Sequence, residues 1–215
     1  MFFLESENSM PPKKTQAREK LLEAARDVIR AKGFSATSVD DLCRTAGVTK
    51  GAFFHHFHSK EEIGVEAAKF WADTTSVLFA NAPYHAPADP FERLIAYLEF
   101  RKELLAGDVP DFTCLVGTMV QETYDSAPAI REACHATITG HAMTLVDDIQ
   151  DAMDACGVTG TTAESLALHT QAVLQGAFIL AKARGSAGIA ADTIDHLIRY
   201  IRLLFAKPVP EGMPQ

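Results

Sequence analysis

SVDDLCRTAGVTKGAFFHHF, residues 38–57, is the stretch that decides the fold. It reads as two short helices joined by Ala46-Gly47-Val48. Thr37 or Ser38 offers a hydroxyl that accepts a free amide hydrogen bond at the start of a helix from Val39 to about Ala46, and Asp40 and Asp41 complement that helix's positive end. Gly47 ends it, because glycine takes the positive φ of the turn. Thr49 caps the next helix, Lys50 to about His56. Val39, Leu42, Val48 and Phe53 supply a small shared core, and Cys43 is expected as a buried small side chain where the two helices come closest. The pattern is a helix-turn-helix.

Toward the N-terminus, Ala17, Leu21, Leu22, Ala24, Ala25, Val28 and Ile29 recur at helical spacing over 15–32, with Gly33 as the C-terminal cap. Toward the C-terminus, Ser59 with Glu61 and Glu62 opens a fourth helix running to Phe79. Residues 81–90 hold Pro83, Pro87 and Pro90 and form a loop. Four further helices are predicted over 91–106, 111–124, 128–156 and Ala163–Arg184, and a last one over 192–206, stopped by Pro208. The expected fold class is all-α, with about nine helices.

With 215 residues, 47% of them hydrophobic, the chain has the apolar content for a substantial core. No run reaches the ~20 apolar residues of a membrane span, so no membrane partner is expected. Met1 to Leu4 are apolar, but Glu5 and Glu7 follow and no basic flank precedes them, which is not a secretory signal. The expected location is the cytoplasm, with ordered structure starting near Met10 and residues 1–9 a loose extension. Cys43, Cys114, Cys134 and Cys156 show no CxxC or zinc-finger spacing and read as free thiols. The net charge of −8 argues at first against nucleic acid. Its distribution reverses that reading: residues 10–60 hold ten Lys and Arg against five acids, whereas 61–215 hold ten against 21. A basic head on an acidic body points to a polyanion bound at one end.

Flanked by Gly33-Phe34 and by Phe57-His58-Ser59-Lys60-Glu61-Glu62, the helix-turn-helix resembles the DNA-binding domain of TetR-type regulators over roughly residues 15–65, and the helix order beyond agrees. The resemblance implies a helix-turn-helix DNA-binding domain over 10–60 and a helical ligand-binding and dimerisation domain over 61–207. It also implies a homodimer on palindromic double-stranded operator DNA, and repression relieved by a small-molecule effector. Thr49, Lys50 and Gly51 then face base edges at the start of the recognition helix. Ser38, His55 and Lys60 lie where the family binds phosphates, Lys60 adding its charge to the positive end of the fourth helix. Phe54 stands where the family usually carries tyrosine, so a phosphate-contacting hydroxyl is missing.

For the dimer, the last helix offers an apolar stripe of Ile194, Leu197, Ile198, Ile201, Leu204 and Phe205. The helix before it offers Leu166, Val173, Leu174, Ala177, Phe178 and Ala181, with Gly176, Ala177 and Ala181 permitting close approach. The expected pocket draws on Trp71, Phe100, Met119, Met143 and Phe178, with Gln121, Glu122, His141 and Gln175 as polar anchors, which suits a mostly apolar effector. Phe112-Thr113-Cys114-Leu115-Val116-Gly117, followed by Glu122 and Ser126-Ala127-Pro128, resembles a branch of the family that includes electrophile-responsive members. Cys114, near a helix start that favours thiolate, is therefore an alternative trigger. Another alternative is a DNA-binding protein without ligand control. No cofactor and no metal are expected: His55, His56 and His58 point in different directions on one short helix, with no Cys or carboxylate at ligand spacing. The chain carries no Gly-rich phosphate loop, GxSxG or HExxH, so nothing in it points to an enzyme.

Overall fold

The computed structural model describes residues 13–206. The expected extension over 1–9, the expected domain limits at 10 and 207, and Pro208 lie outside the described residues. Eleven α-helices are found among the described residues, and no strand. Four build the N-terminal head: α1 Lys13–Lys32, α2 Val39–Ala46, α3 Lys50–His56 and α4 Lys60–Ala80, the last running on into the body. The body adds α5 Pro90–Glu103, α6 Val109–Phe112, α7 Leu115–Thr123, α8 Pro128–Met143, α9 Val146–Cys156, α10 Ala163–Arg184 and α11 Gly188–Leu204. No helix is long and apolar enough to cross a membrane among the described residues.

Local chemistry sets the ends of the head helices. Ser38 Oγ accepts the Asp41 N–H at 3.1 Å while the Asp41 carboxylate accepts the Ser38 N–H at 3.0 Å, a reciprocal capping box. Gly47 closes α2 at φ +65°, in the left-handed region. Thr49 Oγ1 accepts the Ala52 N–H at 3.2 Å, and Ser59 Oγ accepts the Glu62 N–H at 3.0 Å.

Two of the expected helices are each broken in two. The helix predicted over 111–124 is interrupted at Thr113-Cys114, where the backbone is extended. The break turns Phe112 toward Phe178, while Leu115, Val116 and Met119 face the head. Pro110 and an Asp108–Asp111 capping box also start the first piece two residues earlier than expected. The helix predicted over 128–156 is interrupted at Thr144-Leu145, whose amides bond to His141 and Ala142 carbonyls at i−3, a tightened turn. It keeps Ala142, Leu145 and Ile149 all in the body core. The predicted loop 81–90 contains a 3-10 turn at Pro83–His85 that buries Tyr84.

The head is not closed on itself. Leu21, Leu42, Phe53, Phe57 and Ile63 share one apolar cluster with Leu115, Met119, Ile130 and Cys134 of α7 and α8, so the core runs across the expected boundary at 60/61. Each such fully buried side chain contributes about 1.5–3 kcal/mol. A second cluster joins α5, α9, α10 and α11. It corrects the reading of the last two helices. Leu166, Leu174, Ile194, Leu197, Ile198, Ile201 and Phe205 lie in the protomer's own core, and Ala177, Phe178 and Ala181 are buried as well. The apolar residues that α10 and α11 leave outward are Leu168, Ile179, Leu180, Tyr200 and Leu203, the last 76% exposed. Gly176 is on the open side, with nothing within 4 Å of where a Cβ would stand.

Candidate functional site

Phe53 and Phe57, both buried, anchor α3 from beneath, so its opposite face is presented outward. Thr49, Lys50, Gly51, Phe54 and His55 are all exposed there. Phe54 is 54% exposed although aromatic, and it rests edge-on against Phe53 at 5.1 Å between ring centroids. Lys50 Nζ pairs with Asp40 Oδ1 at 2.7 Å across the turn; both side chains are in water, where such a pair exchanges readily for another anion.

Ser38 and Lys60, expected at phosphates, use their polar atoms inside the chain instead. The Ser38 hydroxyl donates to Asp41 Oδ2 at 2.7 Å besides capping α2. Lys60 Nζ donates to the carbonyls of Phe34 at 2.9 Å, Thr37 at 2.8 Å and Ser35 at 3.3 Å and lies 4.5 Å from the Phe34 ring centroid. Burial holds its ammonium below the usual lysine range. The physical reason is that three carbonyls of the α1–α2 loop point at the start of α4 and need a donor there. Other basic side chains of the head are similarly engaged: Arg18 with Glu66, Arg26 with Asp27, and Lys32 and Arg44 with Asp41. Lys32, then the Ser38 amide and hydroxyl, hold Asp41 well below the usual carboxylate range.

Polar contacts join head and body on two sides. Arg30 Nε donates to the Thr113 carbonyl at 2.8 Å, and its guanidinium lies 5.0 Å from the Trp71 ring centroid. Burial, then the charge of Arg26, lowers the Arg30 pKa. On the other side Glu122 Oε2 accepts the Ser35 N–H at 2.7 Å. The Thr113 hydroxyl oxygen is buried with no hydrogen-bond partner among the described residues.

Behind Trp71 lies a cavity of about 60 Å³ whose wall includes Trp71, Phe79, Arg101, Cys114, His141, Gln175 and Phe178. Through Thr75, Phe79, Thr137 and His141 it adjoins a groove of about 380 Å³ between α4 and α8. Of the expected pocket residues, Trp71, Cys114, His141, Gln175 and Phe178 are thus brought together. Phe100 packs against Phe79 and Tyr84 behind the wall, Met119 is fully buried in the head core, Met143 packs on the body core, and Glu122 is at the junction. Gln121 donates to the Gly117 carbonyl at 2.6 Å, off this cavity.

Sequence reasoning missed a polar chain at the cavity's inner end. Gln171 Nε2 donates to the buried Tyr97 hydroxyl at 3.1 Å, and that hydroxyl lies 3.0 Å from His141 Nε2. Burial, then Arg101, pushes the His141 pKa down to about 3, so the imidazole is neutral at physiological pH. The available signal was Arg101 standing four residues after Tyr97 on α5, hence on the same helix face. Cys114 is the N-cap of α7, its Sγ accepting the Gly117 N–H at 3.4 Å, and it is half-buried.

Residues 21–67 match the family model described as bacterial regulatory proteins, tetR family, and residues 90–192 match the one described as the C-terminal domain of LmrA/YxaF-like transcriptional regulators. The chain is 26% identical to the HTH-type transcriptional regulator LmrA of Bacillus subtilis over 172 residues, 76% of this chain and 85% of that protein. It is 28% identical to the HTH-type transcriptional repressor DhaR of a Mycobacterium species over 118 residues, 55% of this chain and 58% of that one. Among solved structures, a TetR-family transcriptional regulator from Agrobacterium tumefaciens superposes with a TM-score of 0.76 at 20% identity, covering 87% of this chain and 98% of that one.

Proposed function

The chain belongs to the TetR family of bacterial regulatory proteins, and from that premise we propose that it is a homodimeric repressor released from a palindromic operator by a small molecule bound behind Trp71. TetR-family proteins are transcriptional regulators that bind operator DNA as dimers. The observation that carries the reading here is the pairing of an outward recognition face on α3 with a cavity whose wall touches the head through Arg30. In this assignment Thr49, Lys50 and Gly51 meet base edges. Thr49 uses an oxygen lone pair for its cap, which leaves its hydroxyl hydrogen as a donor. His55 and the ring of Phe54 lie against the sugar-phosphate backbone, while Ser38 and Lys60 hold the turn that aims α3. The dimer forms on the outward side of α10 and α11, which exposes Leu168, Leu180, Tyr200 and Leu203 and the open Gly176.

The test is selection of bound sequences from random duplex DNA, followed by titration of the enriched site against salt. The expected result is an inverted repeat with half-site centres about 34–36 Å apart or a multiple of that, and a steep loss of affinity with salt as counterions are released. Enrichment of an asymmetric site by a monomer, or salt-insensitive binding, would refute it.

A second reading, a trigger at the Cys114 thiol, is favoured by one specific contrast. Cys43 and Cys134 are buried, burial raising the first thiol's pKa and pushing the second up to about 12, whereas Cys114 is half-buried at a helix start and lines the cavity. Brief alkylation of the folded protein at neutral pH, mapped by mass spectrometry, is expected to modify Cys114 and the half-buried Cys156 while sparing Cys43 and Cys134. If Cys114 is the trigger, alkylation lowers operator affinity in the wild type and leaves Cys114→Ser unaffected. An unmodified Cys114, or equal loss in the serine variant, removes this reading.

A further inference from the structure

The cavity's charge is one-sided. Arg101 is the one permanently charged side chain in its wall, and no Asp or Glu lines it among the described residues. Other partly buried cations have oxygen partners: Arg93 pairs with Asp148 at 2.7 Å, Lys102 with Asp195 at 2.6 Å, Arg30 bonds the Thr113 carbonyl, Lys60 three carbonyls and Lys182 the Thr118 hydroxyl at 2.5 Å. Arg101 is in no ion pair among the described residues. Its guanidinium lies 5.2 Å from the Phe79 ring centroid and 5.6 Å from that of Phe178. Contact with two rings takes up none of its five N–H donors.

The remaining wall brings no negative charge to it. Thr75, Thr137, Gln171 and Gln175 offer neutral oxygens, the two threonine hydroxyls already bonded to the Trp71 and Ala133 carbonyls, and His141 is neutral beside Tyr97. A ligand that closes this cavity without bringing negative charge would strip water from the guanidinium and leave it unpaired, and a cationic ligand would be repelled outright. Size points the same way. The inner cavity of about 60 Å³, where Arg101 sits, accommodates a head group, while the adjoining groove of about 380 Å³, which Arg101 does not line, is walled by Ala72, Phe79, Ala80, Tyr84 and Ala136 and accommodates an apolar body.

We infer that the ligand of this cavity is an organic anion, a carboxylate on a small apolar body, with Arg101 as its counter-charge. The inference rests on the reading of this cavity as the effector site and narrows it from an apolar molecule to an anionic amphiphile. A carboxylate meets the free edge of a guanidinium with paired, charge-assisted hydrogen bonds, which a carboxamide of the same shape cannot do.

Trp71 is the chain's single tryptophan and stands in the cavity wall, so its fluorescence reports occupancy of this cavity in the full-length protein. The probes are hexanoate, benzoate and phenylacetate, each titrated beside its own primary amide. At least one acid is expected to saturate the Trp71 signal with affinity about tenfold or more above that of its amide. Arg101→Gln is expected to erase that ratio and Arg101→Lys to keep part of it; the ratio in the wild type needs no variant to fold. Equal binding of acid and amide, an undiminished acid preference in Arg101→Gln, or failure of every acid to saturate the signal would overturn the inference. Operator affinity measured with the same probes separates it from the reading on which it rests. Arg101-dependent acid binding that leaves operator affinity unchanged upholds the anion site and sinks its role in release, whereas release by the amides alone does the reverse.

Discussion

Gly51→Ala should make the protein more stable and nearly blind to its operator. In α3 the residue is at the second helical position, and a Cβ built on it would meet nothing closer than Thr49 Oγ1 at 3.7 Å. Its neighbours in the head are glycine for reasons inside the chain. Gly47 takes φ +65° in the turn, and a Cβ on Gly64 would come within 2.8 Å of the Phe34 ring and 2.9 Å of Ile130 Cδ1. Gly51 has neither a positive φ nor a crowded Cβ, and glycine in a helix costs about 0.5–1 kcal/mol relative to alanine. A requirement that the folded chain does not impose comes from outside it, and close approach of the α3 backbone to DNA supplies one. Alanine is therefore expected to raise the melting temperature by a few degrees, about 2–4 °C per kcal/mol at this chain length. The same methyl group, present in both half-sites of a dimer, is expected to cost about 1–3 kcal/mol at each, about 2–6 kcal/mol together, or roughly 30-fold to 10⁴-fold in operator affinity. Calorimetric melting beside operator titration checks both halves. Unchanged operator binding would remove Gly51 from the interface, and a lower melting temperature would mean that the glycine serves the fold.

The head was legible in the sequence because its signals are local. Ser38 with Asp41, Gly47, Thr49 and Ser59 each fix a helix end through atoms at most four residues away, so the bounds of α2 and α3 could be read before any packing was known. The breaks at Thr113-Cys114 and Thr144-Leu145 carry no glycine or proline of their own. The first exists because the side chains on either side are needed in different cores, and the second keeps Ala142, Leu145 and Ile149 in one core across the turn; no local pattern records either need. The same distance effect hides the internal partners of the charges. Lys60 and Arg30 count in the basic head, yet their partners within the chain are loop carbonyls 23 to 26 residues away and a body carbonyl 83 residues away. The long α10 and α11 stripes identified buried faces correctly but not which partner buries them, since apolar spacing is the same for a protomer's own core and for a dimer. Within the cavity, Trp71, Cys114, His141 and Phe178 were found as large or reactive residues on the right helices. Arg101 was missed because an arginine between apolar helix positions reads as solvated until Tyr97, one turn earlier, is known to be buried.

Removing the Arg30 guanidinium should leave a repressor that binds its effector and no longer lets go of DNA. Arg30 is on α1, in the head, but both of its contacts are in the cavity wall or adjoin it: the Trp71 ring on α4, and the Thr113 carbonyl in the α6–α7 break, next to Cys114. A ligand that shifts Trp71 or that break therefore acts directly on a side chain of α1, whereas a ligand binding both arrangements equally would shift nothing. In Arg30→Met the alkyl stem is retained and the hydrogen bond and ring stacking are lost. Some melting temperature is expected to be lost as well, because the Thr113 carbonyl is left without its donor. Coupling between sites in switches of this kind is about 1–3 kcal/mol, or roughly 5- to 150-fold in operator affinity. In Arg30→Met that ratio is expected to fall toward unity while Trp71 still reports ligand binding. Glu122→Gln is the control, since Glu122 ties the head to the body through the Ser35 amide but does not line the cavity, and a weakened junction alone would affect both variants alike. Operator titrations of the three proteins, with and without whichever probe saturates the Trp71 signal, decide the point. If Arg30→Met releases DNA as readily as the wild type, or Glu122→Gln loses the response equally, the signal passes by another route than the guanidinium between Trp71 and Thr113.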